Sequence, residues 1–350
     1  MRIGILSAGG DCPGINATIR GVGKTAIVQY GMEVIGINNG FSGLLYNDYI
    51  DLSEKQLSGI LTLGGTILGT SREKPFKKME DDIVANKPQA IKRNYENLGL
   101  DCLVCIGGNG TQKTASLLAE EGLNVVGIPK TIDNDIWGTD VTFGFDSAVN
   151  IATEAIDRLH TTANSHKRVM VIEIMGHHAG WLALHSGMAS GGDIILLPEI
   201  EYDINTVCKT LKDRSRKGKP YSIVVVAEGI KTPNNKPAGR YIAKQITSKT
   251  HLETRETVLG YIQRGGSPSP YDRILSTEFG GHAAELIHEK KFGQMVALID
   301  GKISSIPLSE VAGKLHLVQH DDPLIEQGRR MGVCFGEKVK TGEKEKERTV

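Results

Sequence analysis

The chain has 350 residues, which is more than one ordinary hydrophobic core accommodates and matches two packed domains. Its 41 Lys and Arg residues balance 41 Asp and Glu residues, so no bulk field recruits nucleic acid or an anionic membrane, and partners are expected to be small molecules. The first residues, Met1-Arg2-Ile3-Gly4-Ile5-Leu6, reach Gly-rich sequence too soon for a signal peptide or a membrane helix. Five scattered cysteines, an odd number without framework spacing, point to a reduced, cytoplasmic setting. The Cys102-Leu103-Val104-Cys105 motif lies in an apolar run and reads as core, because positions three apart on a strand face opposite sides.

In chain order, short β-branched runs at residues 2–6, 33–38, 102–106, 125–128, 169–174, 193–197, 223–227 and 295–299 read as buried strands. Helical periodicity occupies residues 15–30, 111–121, 148–161, 179–189, 204–216 and 276–289. This alternation predicts an α/β protein of two doubly wound, Rossmann-like domains. The charged segment 335–350 reads as a solvated tail.

In open α/β sheets, ligands bind beyond the carboxyl ends of the strands, so the segment after each strand is informative. The first strand is followed by Gly9-Gly10-Asp11-Cys12-Pro13-Gly14-Ile15-Asn16, whose glycines admit an anion to backbone N–H groups at a helix start. The strand from Cys102 is followed by Gly107-Gly108-Asn109-Gly110-Thr111, a second turn of the same kind. Neither matches a Walker A loop, and the glycines are too tightly packed for the G-x-G-x-x-G of dinucleotide enzymes. A third turn, Pro129-Lys130-Thr131-Ile132-Asp133-Asn134-Asp135, crowds two carboxylates and a lysine together. As a fold element this is costly; as a catalytic loop it supplies a base, a partner for that base or for Mg²⁺, and a point charge for phosphate oxygens.

Adjacent His177 and His178 follow another strand without the spacing or nearby carboxylate of a zinc site, which favours phosphate or hydroxyl contact. Glu228 ends a further strand, as an acceptor for sugar hydroxyls or as an ordinary surface residue. Arg255 and Arg264 flank what reads as an apolar strand ending in Gly265-Gly266-Ser267, where arginines can clamp a phosphomonoester or form surface ion pairs.

Together, the Gly9–Asn16 turn, Thr131-Ile132-Asp133-Asn134-Asp135, Met175-Gly176-His177 and Gly260-Tyr261-Ile262-Gln263-Arg264-Gly265-Gly266 resemble the 6-phosphofructokinase family, in order, from residue 3 to about residue 300. The second turn alone carries less weight, since NAD kinases and diacylglycerol kinases share a similar one. The resemblance implies that Gly10, Arg72, Gly108, Asn109, Gly110 and Thr111 hold ATP, with Mg²⁺ at Asn109. It implies catalysis by Asp133 as base on the sugar 1-hydroxyl, with Asp135 and Lys130 beside it. Fructose 6-phosphate is then expected to meet Thr131, Met175, Gly176, His177, Glu228, Tyr261 and Arg264. Arg168 and Arg255 complete that pocket from a neighbouring subunit of a homo-oligomer, a tetramer or dimer. The donor domain is expected at residues 1–140 with 260–305 and the sugar domain at 141–259 with 306–334, the active site lying in a cleft between them.

Three departures qualify the pattern, and two further positions bear on the phosphoryl donor. Asn109 replaces an Asp that ligates magnesium, so metal affinity is expected to weaken. His177 and Tyr261 stand where bacterial ATP users carry Arg and His, which makes the acceptor pocket less cationic. His160 replaces an effector-site Arg, which argues against inherited control by ADP or phosphoenolpyruvate. Gly110 leaves room for a nucleotide whereas Lys130 is shared with pyrophosphate users, so ATP is the expected donor, with a pyrophosphate-dependent enzyme or a low-activity regulatory paralogue as alternatives.

Overall fold

The structure, a computed structural model, describes residues 1–77, 84 and 86–338. In chain order the elements begin with β1 (Arg2–Ala8), α1 (Ile15–Tyr30), β2 (Glu33–Ile37), α2 (Phe41–Tyr46) and β3 (Tyr49–Asp51). Then come α3 (Lys87–Asn97), β4 (Cys102–Gly107), α4 (Asn109–Glu120), β5 (Val125–Pro129), α5 (Phe145–His166), β6 (Val169–Ile174), α6 (Trp181–Ala189) and β7 (Ile194–Leu196). The chain ends with α7 (Ile204–Arg216), β8 (Ser222–Ala227), α8 (Ala238–Thr250), β9 (Thr254–Val258), α9 (Pro270–His288), β10 (Gln294–Ile299), β11 (Lys302–Pro307), α10 (Leu308–Val311) and α11 (Pro323–Met331). These form two compact units, one of Met1–Ala148 with Arg264–His316, the other of Val149–Gln263 with the segment from Leu317 onward.

The first unit carries a seven-stranded sheet in the order β11-β10-β5-β4-β1-β2-β3. β1, β2, β4, β5 and β10 pair in parallel, and β3 and β11 close the two edges antiparallel. The apolar runs make this possible: β4 and β5 are buried at every residue, as strands covered on both faces must be. Cys102 and Cys105 lie wholly within this sheet as free thiols, with the burial expected of core residues. From β1 the chain goes first to β2 on one side and later to β4 on the other. The switch point of the sheet therefore falls between β1 and β4, where the first two Gly-rich turns emerge.

The second unit carries a four-stranded, all-parallel sheet, β7-β8-β6-β9. Sequence periodicity misplaces one piece of it. The strand after Glu253 is β9, a polar strand with Arg255 inside it, and Gly260–Arg264 forms a 3-10 turn in place of an apolar strand end. β9 pairs only with β6, so its outward face meets solvent and tolerates charge. The charged tail also differs in part from its reading as solvated. Phe335 is buried and Arg329 donates to Glu337 at 3.0 Å, while residues 339–350 lie outside the described residues.

Helix α1 lies against α9 at close backbone range. A Cβ on Gly280 would sit 2.6 Å from the Val22 nitrogen and 2.7 Å from the Thr18 oxygen, and one on Gly21 would sit 2.8 Å from the Thr277 oxygen. At the start of α9, Asp272 accepts hydrogen bonds from the Ser147 N–H at 2.8 Å and hydroxyl at 2.5 Å, and burial pushes its carboxyl up to about 6. Because both obstacles at Gly280 are backbone, the helices must part to admit a side chain. Gly280→Val should destabilise the protein by about 1–3 kcal/mol or more, read as a lower urea midpoint; an unchanged midpoint would contradict the close packing of α1 on α9.

Candidate active site

Three turns of the first unit emerge at adjoining strand ends, and hydrogen bonds join each to the next. At the first turn, after β1, the Gly9 N–H donates to the Ser71 oxygen at 2.9 Å and the Thr70 hydroxyl donates to the Gly9 oxygen at 2.7 Å. These two bonds pin the segment that carries the exposed Arg72 beside the turn. The Gly10 carbonyl accepts from the Lys130 ammonium, and the Asp11 carbonyl accepts from Arg264 Nη1 at 3.2 Å. A Cβ at position 10 would stand 2.8 Å from that guanidinium, so a side chain there would displace Arg264 from the turn.

The second turn opens α4, with Gly108 as its N-cap residue and no acidic side chain in its first turn, so the helix end presents N–H groups to an anion. It touches the first through Thr111, whose hydroxyl donates to the Ala8 oxygen at 3.4 Å. A Cβ at Gly110 would meet nothing within 4 Å, which leaves open space at the helix start.

The third turn, after β5, joins both others. The Lys130 N–H donates to the Gly107 oxygen at 3.1 Å while its ammonium reaches the first turn, and Asn109 Nδ2 donates to the Asp135 oxygen at 3.2 Å. Lys130, Thr131, Asp133 and Asp135 are all buried. Burial holds the Lys130 ammonium below the ordinary lysine range, Arg264 adds to this, and Cys12, Asp133 and Asp11 oppose it. Lys130 therefore spends its ammonium on holding a backbone carbonyl as well as supplying charge. The loop's shape is set by Asn134, at a left-handed φ of 53°, whose Oδ1 accepts from the Thr142 N–H at 2.9 Å. The Thr142 hydroxyl donates to the Thr131 oxygen at 2.7 Å, and the Asp133 N–H donates to the Thr131 hydroxyl at 3.1 Å. Thr142 and His316, which also bonds this loop, carried no sequence signal: neither belongs to a motif.

The residues fit a hard cation in their chemistry. Asn109 and the aspartates offer an oxygen-only donor set, and the bond from Asn109 Nδ2 to Asp135 fixes the amide so that its oxygen remains the acceptor end. Among the described residues no group of three or more His, Cys, Asp or Glu side chains could hold a metal ion. Mg²⁺ bound by few protein oxygens normally completes its shell with water and substrate phosphates.

In the second unit, Met175, Gly176 and His177 follow β6 and Glu228 follows β8, its neighbour. Glu228 Oε1 accepts from the N–H of Gly176 at 3.2 Å and of His177 at 2.8 Å, and the Met175 N–H donates to Gln263 Oε1 at 3.3 Å. Gly176 has φ 146°, and a Cβ there would lie 2.4 Å from the Ala179 oxygen. Tyr261 is 77% exposed, on the 3-10 turn that supplies Gln263.

Arg168 and Arg255 lie at the other end of this sheet. Arg168 precedes β6 and Arg255 is the second residue of β9, and both guanidiniums bond Glu253 Oε1 at 2.8 Å. The six residues of β6 separate them from Met175–His177 by roughly 20 Å of strand. His160, for its part, is held on both ring nitrogens, 3.0 Å from the Tyr221 hydroxyl and 2.8 Å from the Ser190 oxygen.

The sequence profile described as Phosphofructokinase matches residues 2–287. The chain is 67% identical over 336 residues to the ATP-dependent 6-phosphofructokinase 3 of Bacteroides thetaiotaomicron, covering 96% of this chain and 100% of that protein. It is 57% identical over 357 residues to the ATP-dependent 6-phosphofructokinase of Spirochaeta thermophila, covering 96% and 98%. Among solved structures, phosphofructokinase from Saccharomyces cerevisiae matches with a TM-score of 0.81 at 30% identity over 89% of this chain and 45% of that chain. A pyrophosphate-dependent phosphofructokinase from Nitrosospira multiformis matches with a TM-score of 0.83 at 23% identity, over 96% of this chain and 92% of that one, a likeness of fold. Among the described residues no helix is long and apolar enough to cross a membrane.

The depressed Lys130 pKa has a thermodynamic consequence. A lysine whose folded pKa lies below its unfolded value is more protonated in the unfolded chain, so stability rises with pH through the folded value up to the ordinary 10.5. Buried Cys12, Cys102, Cys105 and Tyr95, whose pKa values burial raises, lower stability over the same alkaline range, so the lysine contribution is read as a difference. The urea stability of wild type minus that of Lys130→Met should rise with pH below 10.5; a difference independent of pH would mean that Lys130 does not contribute it.

Proposed function

Because the chain belongs to the phosphofructokinase family, we propose that it transfers the γ-phosphoryl group of ATP to the 1-hydroxyl of fructose 6-phosphate. One observation carries the reading: Lys130, Asn109 and Thr111 bond the first, second and acidic turns together at the switch point of one sheet. Phosphoryl transfer asks little covalent help of a protein and much positioning and charge stabilisation, which converging helix starts and cations provide.

In this reading the Gly10 and Gly108–Thr111 turns receive the donor phosphates, with Arg72 at their margin. Asp133 takes the proton from the 1-hydroxyl as its oxygen attacks the γ-phosphorus, the bond to the bridging oxygen breaks, and ADP leaves. Lys130 stabilises negative charge near the first turn, and Arg264, which bonds the Asp11 carbonyl there, belongs with the residues that meet the sugar phosphate. Asn109 and Asp135 would hold Mg²⁺, which would supply neutralisation of the β- and γ-phosphate oxygens. Thr131, Met175, Gly176, His177, Glu228 and Tyr261 meet the sugar. The Glu228 carboxylate already accepts two N–H groups from the Met175–His177 turn, so it shapes that turn while its second oxygen is available to hydroxyls.

The placement of Arg168 and Arg255 supports their supply in trans. A small sugar phosphate bound at the Met175–His177 end of β6 is out of reach of arginines at its start, so a second copy of the chain would bring them. Glu253 meanwhile keeps the two guanidiniums paired. The proposal thus includes a homo-oligomer with shared sites.

ATP is favoured as donor by the open space at Gly110, where an acidic side chain would crowd a nucleotide, and by the ATP-dependent relatives. Initial rates with Mg·ATP and Mg·pyrophosphate on fructose 6-phosphate decide between them: turnover with ATP is expected, and turnover with pyrophosphate alone would refute the donor assignment. Asp133→Ser should lower kcat by roughly 100-fold or more while fructose 6-phosphate still binds, because the base is lost and the sugar contacts remain. Wild-type kcat in that variant would remove Asp133 from the role of base.

A further inference from the structure

We propose that residues 314–316 form a strap that positions the acidic loop, with His316 as a positioning residue acting through the backbone of Asn134. The inference rests on the reading of that loop as catalytic. Three consecutive residues run beside the loop in the opposite direction. The Lys314 ammonium stands over the Trp137 ring, 5.8 Å from its centroid, and Leu315 forms an antiparallel bridge with Ile136. The His316 N–H donates to the Asp135 oxygen at 2.9 Å, and its ring Nδ1 lies 3.2 Å from the Asn134 oxygen. A carbonyl can only accept, so Nδ1 carries the proton in this contact.

The position of these bonds gives them their consequence. Asn134 sits between the two aspartates in a left-handed conformation, which Asn tolerates better than other side chains but which still requires support. Its side-chain oxygen is held by Thr142 and its carbonyl by His316. The next carbonyl, that of Asp135, accepts from Asn109 Nδ2 as well as from the His316 N–H. The loop is therefore clamped from α4 on one side and from the strap on the other. Rotation of the peptide after Asn134 would reorient Asp135 relative to Asp133, and misplacement by about 1 Å can cost roughly 100-fold in rate. The strap enters the site from 182 residues away in sequence and need not touch a substrate.

The test compares His316→Ala, His316→Asn and His316→Gln. Asn places a side-chain N–H near the position of Nδ1, whereas Gln extends it towards that of Nε2. We expect His316→Ala to lower kcat roughly 10-fold with KM values within about twofold, since orientation is lost and binding is kept. Amide hydrogen exchange of the peptide spanning residues 131–137 should quicken in the same variant, and His316→Asn should restore both readouts where His316→Gln does not. Unchanged exchange and unchanged kcat in His316→Ala would overturn the proposal. Faster exchange with wild-type kcat would leave the strap a structural support and overturn the positioning role, while the catalytic reading of the loop stands or falls separately with Asp133→Ser. Should His316→Ala not fold, equal kcat in the Asn and Gln variants would overturn the positioning role.

Discussion

The buried ammonium of Lys130, bonded to the Gly10 carbonyl, is the constraint on which the candidate site depends. It bridges turns that follow β1 and β5, strands separated in the sheet by β4, whose own turn is drawn in by the Lys130 N–H and by Asn109. Removing a lysine from water is unfavourable, and its lowered proton affinity records that cost. The fold accepts it at the point where two Gly-rich turns and the acidic loop are bonded into one fixed geometry. A phosphoryl-transfer site needs that fixity, because its rate comes from prearranged charge rather than from covalent chemistry.

The two units contribute different physics. In the first, backbone N–H groups and buried side chains are held in a network with few free torsions, which suits the polyphosphate of a donor. In the second, Glu228 organises a turn with Gly176 at φ 146° and His177 at φ 52° by accepting two of its N–H groups. The substitution of Asn for Asp at position 109 reads differently once its contact is visible. An amide can donate to the Asp135 carbonyl and a carboxylate cannot, so Asn109 gives up a negative charge for a tie to the acidic loop.

Much of this was legible in the chain because the signals were local. Continuous β-branched runs identified β6 to the residue, and paired glycines after β1 and β4 marked the turns at the switch point. Clustering of Lys130, Asp133 and Asp135 marked the third. Strands with a solvent-facing side were harder: β3 is exposed throughout, and β9 reads Thr-Arg-Glu-Thr-Val with only Thr254 buried, so neither shows a buried run. Helices α3 and α8 are rich in polar residues and carry only narrow apolar stripes. Contacts made by backbone were invisible altogether. Thr142 and His316 act on carbonyls and N–H groups that every residue possesses, so no residue type at their distance in sequence could announce them.

The first sheet is also discontinuous in sequence, and this bears on how the protein is made. β10 joins β5 only after the whole segment Val149–Gln263 has been synthesised. Until then β5 is an open edge of apolar parallel strand, the kind of surface that pairs with other chains. A ribosome adding roughly 5–20 residues per second leaves that edge uncovered for several seconds or more. Nascent chains of this fold therefore have their greatest exposure to misassembly midway through synthesis, and the antiparallel β11 that follows β10 closes the edge on completion.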